Sequence, residues 1–338
     1  MKLYSAIDLH STNCVIGVIN EEDKTVYKEK IVNDLGLILK ALEPYREQMI
    51  GVAVESTYNW YWLVDGLMGA GFKTHLVNTA AVKQYEGLKH TDDQYDAYYL
   101  AHLLRLGILP VGYIYPKEER TIRDLLRKRA YLVRQRTANL TSLQCFYSRH
   151  TGKRLTGNQA KDLTEVELRE QFSNPNTVLE ATANIVLNQA LEQQIIQLEK
   201  AILSQTKDRP EFKYLTTVSG IGKILALTIL LETGDINRFG SVGQYASYCR
   251  CVNSNKISNG RKKGTGNVKN GNKYLAWAFA EAANFSIRFN EKAKKFYQRK
   301  MAKRCQALAF KALAHKLARA CYYIMKESIP FNEEMLFG

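Results

Sequence analysis

The sequence predicts a chain of two fold classes, an α/β domain at the N-terminus and an all-α region after it. Over the first 90 residues or so, β-rich runs alternate with short helical runs. From about residue 93 onward, apolar residues recur at helical spacing almost without interruption. The chain has 338 residues, of which 46% are hydrophobic and 24% charged, so it is long and apolar enough for two globular domains.

The N-terminal elements begin with three β-rich runs. The first stretch alternates like a strand, with Leu3, Ser5 and Ile7 on one side and Tyr4 and Ala6 on the other. Residues 13–20 and 25–32 are joined by the polar turn Glu21 to Lys24, and together the three runs predict an antiparallel meander. Asp34 is placed to cap a short helix that ends at Leu42. Next come a buried strand at 49–56, a helix at 58–70, a strand at 72–78 and a helix from Thr79. This β-β-β-α-β-α-β-α order is the RNase H-like plan.

The following region is predicted to be helical, with runs at 93–107, 117–150 and 177–206, and a polar stretch at 153–175 that is a loop or short helices. The 177–206 run has near-heptad apolar spacing. This spacing suits either a helix packed within its own chain or an intermolecular coiled coil. Because Pro210 marks a boundary, the predicted domains are 1–150, 151–210 as a helical coiled-coil linker, and 211–338.

The C-terminal domain is predicted to start with two helices joined by the turn Gly220-Ile221-Gly222, which is like a helix-hairpin-helix. The exposed N–H groups of Gly220 and Gly222 and the following helix start are candidates for binding phosphate. A tight turn with only a packing role is the alternative. Residues 253–273 are too polar for a core and predict an exposed loop or ribbon, followed by helices at 273–289 and 291–327.

Charge is unevenly distributed along the chain. The net charge is +15, and residues 236–326 contain 20 Lys and Arg but only two acids, Glu281 and Glu291. Such a stretch attracts a polyanion, and its interleaved Asn, Gly, Tyr and Trp residues favour nucleic acid over a solvated basic helix or an anionic membrane surface. With no apolar run of about 20 residues and no signal peptide, we expect a cytoplasmic protein without membrane spans.

The six cysteines are scattered through the chain, which argues against a disulfide framework in a protein of this length. The pair Cys249 and Cys251 is not accompanied by a second Cys or His pair at zinc-finger spacing. We therefore expect reduced thiols, most of them buried.

Four carboxylates are candidates for a metal site. Asp8 ends the first strand and Glu55 the fourth, and these strands are neighbours in an RNase H-like sheet. Asp93 and Asp96 share one face at the start of a helix. Converging carboxylates repel one another unless a cation lies among them, and oxygen ligands suit Mg²⁺ or Mn²⁺. Two such ions would clamp a phosphodiester. His10, two residues beyond Asp8, is a candidate to support this group.

Simpler interpretations of these acids remain open. The run Asp92, Asp93 and Asp96 is also typical of a capped helix start. Asp8 in Ile7-Asp8-Leu9-His10-Ser11-Thr12 also fits an actin-like sugar kinase, although a second phosphate loop is missing and that fold leaves the basic half unexplained.

Two sets of motifs resemble one family. Asp8 in AIDLH, Glu55 in VAVEST, and Asp93 and Asp96 in TDDQYDAYYLAHLLRLG resemble the DEDD transposases of bacterial insertion sequences, the IS110 family and its IS1111 branch. TVSGIGKILALTILLETGDINRF and SNGRKKGTGNVKNGNKYLAWAFAEAAN resemble the C-terminal transposase domain of that family. The resemblance covers nearly the whole chain, and it implies a RuvC-like N-terminal domain. The D-x-x-D spacing of the family selects Asp93, although Asp92 is adjacent.

The resemblance implies a recombinase guided by a noncoding bridge RNA that pairs with donor and target DNA. It also implies a serine nucleophile that forms a covalent phosphoserine link to DNA. By motif position this serine is Ser258, with Ser254 as a weaker candidate; where the family often has Ser-Ser-Gly, this chain has Ser258-Asn259-Gly260. Two DNA duplexes must be held together, so we expect a homo-oligomer, a dimer that assembles to a tetramer.

The basic residues around Ser258 are candidates for contacts with nucleic acid, since cations there can hold a scissile phosphate and stabilise its developing charge. They are Arg261, Lys262, Lys263, Lys269 and Lys273. No histidine lies near Ser258 in sequence, so we expect the metal cluster to activate the serine or orient the phosphate in a composite site. The alternatives are a RuvC-like Holliday-junction endonuclease, which hydrolyses with water, and a non-catalytic nucleic-acid-binding protein.

Overall fold

The computed structural model describes residues 1–82, 93–252, 256–264 and 270–337, and for residues 93–95, 256, 257 and 262 it describes the backbone alone. The chain divides into two compact units, Met1–Lys117 and Glu118–Gly338. This division differs from the predicted boundaries at residues 150 and 210. The difference arises because the two long helices after residue 117 pack into the same core as the helices that follow Pro210.

The first unit is built on a five-stranded sheet in the order β3-β2-β1-β4-β5. Its strands are β1 (Leu3–Leu9), β2 (Asn13–Asn20), β3 (Thr25–Val32), β4 (Met49–Glu55) and β5 (Thr74–Val77). The first three are antiparallel, whereas β4 runs parallel to β1 and β5 parallel to β4. The predicted meander and the RNase H-like order of strands are therefore confirmed.

Helices cover both faces of this sheet. On one face, α1 (Leu35–Leu42) and α2 (Tyr61–Gly69) bury apolar side chains against β1 and β4. On the other face, α3 (Asp93–Arg105) packs Leu100 and Ala101 against Ala6 and Ala53. Asp34 caps α1 as predicted, because its Oδ1 accepts from the N–H of Leu37 at 2.9 Å. The helix predicted from Thr79 is only a 3₁₀ turn, Thr79–Ala81, in the described residues.

The second unit begins with two long antiparallel helices, α4 (Lys117–Thr151) and α7 (Pro175–Thr206), joined by α5 (Gly157–Asp162) and α6 (Glu165–Gln171). The pairs Arg129–Glu199 and Arg136–Glu192 show that α4 and α7 run in opposite directions. Since Ile195 and Ile202 are buried, the near-heptad run packs within its own chain. Each short helix starts with a capping box, which satisfies its first N–H groups.

The remaining helices surround a second core. They are α8 (Pro210–Leu215), α9 (Lys223–Thr233), α10 (Val242–Tyr248), α11 (Lys273–Phe289), α12 (Glu291–Lys303), α13 (Gln306–Glu327) and α14 (Glu333–Phe337). Every residue of α9 from Leu225 to Thr233 is buried, so this helix is the centre of the core. The predicted helix at 291–327 is two helices, because Arg304 has an extended backbone that ends α12 before α13 begins.

A two-stranded antiparallel ribbon lies between α10 and α11, formed by β6 (Lys256–Ser258) and β7 (Arg261–Gly264). This is the predicted exposed ribbon. The six cysteines are free thiols, and four of them, Cys14, Cys249, Cys251 and Cys321, are buried as expected. Among the described residues, we find no helix that combines the length and the apolar character needed to span a bilayer.

Candidate active site

Asp8 and Glu55 lie side by side at the ends of two parallel strands. Ile7 of β1 pairs with Val54 of β4, so the next residue of each strand, Asp8 and Glu55, falls at the same position along the sheet. Asp8 is buried, with 3% of its surface exposed, and Glu55 is half-buried. The predicted convergence of these two carboxyl groups is therefore observed.

The electrostatics of this pair are unusual. Burial, a hydrogen bond with Asp8, and the charges of Asp8 and Asp96 raise the pKa of Glu55 from 4.5 to about 8. The raised pKa favours the protonated form of Glu55 at neutral pH when no cation is present, and the hydrogen bond joins its carboxyl group to that of Asp8. The contribution of Asp96 shows that a third carboxyl group, on α3, is close enough to act on the pair.

The chemistry of these donors suits Mg²⁺ rather than a structural zinc ion, which proteins bind mainly through Cys and His. The donors are all carboxylate oxygens, and Mg²⁺ binds proteins through one or two carboxylates while it keeps water or phosphate oxygens as its other ligands. Among the residues whose side chains are described, no three His, Cys, Asp or Glu groups are placed to hold a metal ion, so the structure brings Asp8 and Glu55 together without completing a set of three ligands. Asp93 belongs to the first turn of α3, its side chain is outside the described part, and Asp92 lies outside the described residues.

The loop after β1 is held close to this pair. His10 Nε2 lies 3.4 Å from Asp8 Oδ2, as expected of a supporting residue. The carbonyl of His10 accepts from Asn33 Nδ2 and Asn59 Nδ2, both at 3.0 Å, and Asn59 Oδ1 accepts from Thr57 Oγ1. Sequence reasoning missed both asparagines, because their common partner is a backbone oxygen far away in sequence.

A second cluster fixes α3, the helix that carries Asp96. Asp23, in the β2–β3 turn, accepts from Tyr98 Oη at 2.9 Å and from Arg105 Nε at 3.0 Å, and it lies 2.7 Å from His102 Nδ1. The positive φ of Asp23, 68°, directs the turn toward this helix. These three partners lie on one face of α3, so Asp23 connects the β2–β3 turn to the helix that carries Asp96. Sequence gave no reason to choose Asp23 over Glu21 or Glu22.

Comparisons with known families agree with this arrangement. A family model described as a transposase, of the DEDD type found in IS110 elements, matches residues 6–149. A second model, described as "Transposase IS116/IS110/IS902 family", matches residues 212–298. The chain belongs to the IS110 family of transposases. A search of curated proteins finds no match.

In this transposase, Ser258 lies at the tip of the basic ribbon. It ends β6 and pairs with Arg261 of β7 across a two-residue turn. Both turn residues have positive φ, 50° at Asn259 and 70° at Gly260, as a type I′ hairpin requires. The Asn259-Gly260 dipeptide is a sequence signal that could have predicted this turn, beyond the exposed loop or ribbon that was expected. Ser258 is exposed, and so are Arg261 and Lys263.

The other predicted contact residues of the transposase are only partly described. Lys262 pairs with Ile257 through its backbone, while Lys269 and Ser254 lie outside the described residues. Lys273 is exposed at the start of α11. All five cations stay predictions as contacts with nucleic acid.

The two glycines of the Gly220-Ile221-Gly222 turn lie in different environments, since Gly220 is packed and Gly222 is exposed. Gly220 has a φ of 94°, and a Cβ there would lie 2.6 Å from the backbone nitrogen of Ser286 in α11, so packing requires this glycine. Gly222 is the exposed N-cap of α9 and has open space around it. The tight-turn interpretation accounts for Gly220, and phosphate binding at Gly222 stays a prediction.

Proposed function

We propose that this transposase cuts and rejoins DNA strands during insertion and excision of a mobile element, through a phosphoserine intermediate at Ser258 and with a noncoding bridge RNA as its guide. The observation that carries the proposal is the carboxyl pair Asp8 and Glu55 at the ends of two parallel strands, where burial and the charges of Asp8 and Asp96 raise the pKa of Glu55. Enzymes that use metal ions on phosphodiesters bring the cation to the scissile phosphate with carboxylates of this kind.

Asp8, Glu55 and Asp96, with Asp93 in the same turn as Asp96, would hold Mg²⁺, and Mn²⁺ has the same ligand preference. When bound, the cation neutralises charge on the phosphate and stabilises the charge that develops during transfer. Glu55 must release its proton to become a ligand. Asp23 keeps α3 in position, and His10 borders the carboxylate of Asp8.

The proposed chemistry conserves the energy of the broken bond. Ser258 Oγ attacks the phosphorus and loses its proton, the new O–P bond forms, and one P–O bond to the DNA sugar breaks to leave a sugar hydroxyl. Rejoining reverses these steps, because a sugar hydroxyl attacks the phosphoserine and Ser258 regains its proton. Arg261 and Lys263 are exposed beside Ser258 and suited to hold the phosphate.

The proposed partners are two DNA duplexes, the bridge RNA and further copies of the chain. The strongly basic stretch at 236–326 supports polyanionic partners. The outer face of α7 supports self-association, because Leu179, Val186 and Ile196 are each more than half exposed there. These side chains are left over after α7 has packed against α4, so they suit a dimer contact.

The test is to trap a covalent protein–DNA adduct with donor DNA, bridge RNA and Mg²⁺. The wild-type chain should give an adduct that survives denaturation, Ser258→Ala should give none, and the matched variant Ser254→Ala should retain it. If Ser258→Ala still cleaves DNA at the wild-type rate, the enzyme is a hydrolase that uses water, as a Holliday-junction endonuclease does. If Asp8→Ala leaves recombination in cells intact, the chain is a nucleic-acid-binding protein without catalysis.

A further inference from the structure

A cavity of about 470 Å³ lies in the second unit, between α4, α9 and α11. Among the described residues of the ribbon, Ser258, Arg261 and Lys263 are not part of the lining of this cavity. Its lining combines two aromatic rings, Tyr274 and Trp277, with several cations and with apolar side chains of α4. A cavity of this size and mixed lining is typical of a binding site for a small ligand or one unit of a polymer.

The floor of the cavity is a buried ionic group that is fully used within the protein. Glu232 is 1% exposed, and its carboxylate accepts from Arg127 at 2.6 and 2.7 Å and from Asn272 Nδ2 at 2.7 Å. Arg127 also lies over the ring of Tyr274, 4.7 Å from its centroid. The charge of Glu232 is therefore compensated, and through Arg127 this acid fixes the position of Tyr274. It does not make the cavity acidic.

The rim of the cavity is cationic. Arg129 is paired with Glu199. By contrast, Arg134 and Lys273 are exposed and form no ion pair with any described residue. Arg127 and Arg134 are seven residues apart on α4, and hence two turns apart on one face. At the rim, the two side chains without an ion pair, Arg134 and Lys273, therefore offer positive charge to an anion.

Trp277 sets the kind of ligand that the cavity fits. It is 43% exposed, although Trp is usually among the more buried residues. Tyr274 and Trp277 are three residues apart on α11, so they lie on the same face. An exposed indole beside a second ring, with cations around them, is the arrangement that stacks on an unpaired base while the cations contact phosphates.

We infer that this cavity, which we call the α4–α11 pocket, binds an unpaired nucleotide of a single-stranded nucleic acid. The base stacks on the exposed indole of Trp277. Tyr274, whose ring is contacted by Arg127 and Lys273, forms the adjoining wall, and the flanking phosphates contact Arg134 and Lys273. A paired base inside a duplex cannot present its face to Trp277, so the pocket discriminates against duplexes. The inference deepens the proposed function, since a guide RNA with unpaired segments supplies such a ligand, but it depends on no step at Ser258.

The test measures binding of the full-length chain to oligo(U), oligo(dT) and a duplex of equal length. Trp277→Ala should weaken binding of the single strands roughly 5- to 150-fold, whereas Trp277→Phe should stay close to wild type because a ring remains. Binding of the duplex should not change. A larger effect on oligo(U) than on oligo(dT) identifies RNA as the ligand. Equal effects mean that the pocket accepts single-stranded RNA and DNA alike. Both outcomes support nucleotide binding in the pocket.

Two further readouts separate stacking from a structural effect. Of the three tryptophans, Trp277 alone belongs to the second unit, so a quenching of its fluorescence by oligo(U) should disappear in Trp277→Phe. Arg134→Gln and Lys273→Gln should each reduce the slope of log affinity against log salt by about 0.7 for a single strand. Phe289→Ala and Lys295→Gln are matched controls, exposed on the same helix and on the next, outside the pocket.

Three outcomes would overturn the inference. They are unchanged single-strand binding in Trp277→Ala, an equal loss for the duplex, and a change in oligomeric state without a change in binding. The last would mean that Trp277 belongs to a contact between copies of the chain. Failure of the adduct test at Ser258 would leave this pocket untouched, because oligonucleotide binding needs no cleavage.

Discussion

The acidic pair of the first unit and the serine ribbon of the second unit are built in opposite ways. Asp8 and Glu55 lie at the ends of neighbouring parallel strands whose core residues are almost fully buried. Ser258 lies on a short ribbon whose described side chains are mostly exposed. A metal site needs ligands fixed by rigid elements, since small displacements weaken coordination. A nucleophile that must reach DNA benefits from an exposed position at a turn.

The two regions also differ in the physical constraint that their surroundings impose, which is electrostatic in the carboxyl pair and conformational in the ribbon. In the carboxyl pair the pKa of Glu55 is raised, because burial and the neighbouring charges of Asp8 and Asp96 disfavour a further negative charge there. In the described part of the ribbon, no such opposition between buried charges is found. The main requirement of the ribbon is the positive φ of Asn259 and Gly260 in its turn. We therefore expect mutations in the first region to change both stability and activity, and mutations in the ribbon to change activity alone.

The largest effect should come from Asp8→Asn. Strand exchange should fall by at least about 1000-fold, a size typical of lost electrostatic stabilisation at a transition state. The same change should raise the melting temperature without metal, since it removes like charge beside Glu55. Assays of recombination and thermal unfolding check both, with the exposed Glu47→Gln as control. A stable Asp8→Asn variant with wild-type activity would contradict the assignment of the metal site.

The next effect concerns pH. Because the pKa of Glu55 is about 8, Mg²⁺ must displace a proton at lower pH, and affinity should rise about tenfold per pH unit from pH 6 to 8. The sign for stability without metal is the opposite. A raised carboxyl pKa stabilises the fold below pH 4.5, and this stabilisation is lost as pH rises through 8. Calorimetry in two buffers of different ionisation enthalpy measures the proton that is released when Mg²⁺ binds. A pH-independent Mg²⁺ affinity would contradict the raised pKa of Glu55.

The ribbon should respond to Gly260→Val with about a tenfold loss of adduct formation. A β-branched residue disfavours the positive φ of the turn at a cost of about 1–2 kcal/mol. Thermal stability should stay unchanged because the ribbon lies outside the core. Gly157→Val, at the exposed start of α5 with open space around it, is a control. A global loss of stability would show that the ribbon supports the fold.

The smallest effect should be that of Asp23→Ala. It removes three polar contacts to α3, and we expect a loss of about 1–2 kcal/mol in the free energy of unfolding. Because its partners lower the pKa of Asp23, this contribution is present above the ordinary carboxyl pKa and is lost as pH falls. Mg²⁺ affinity should also fall severalfold, whereas Glu22→Ala should change neither. Equal stability loss with unchanged Mg²⁺ affinity would restrict Asp23 to a structural role.

Much of the fold could be predicted because local patterns dominate it. Alternation and turn residues located the strands of the first unit, and helical spacing located α3, α4, α7 and α11. In the described residues the helix predicted from Thr79 is only a 3₁₀ turn, and the single helix predicted at 291–327 is two helices. Propensity does not detect an extended residue such as Arg304 inside an otherwise helical sequence.

The sequence by itself determined which residues are suited to the chemistry, namely the acids at strand ends, the Asn-Gly turn beside Ser258 and the strongly basic second half. Tertiary structure decided what those residues do to one another. It placed Asp8 beside Glu55 and raised the pKa of Glu55, attached α3 to Asp23, and grouped Trp277 with Arg134. These outcomes depend on contacts between residues tens to more than a hundred positions apart, and local sequence carries no information on such distances.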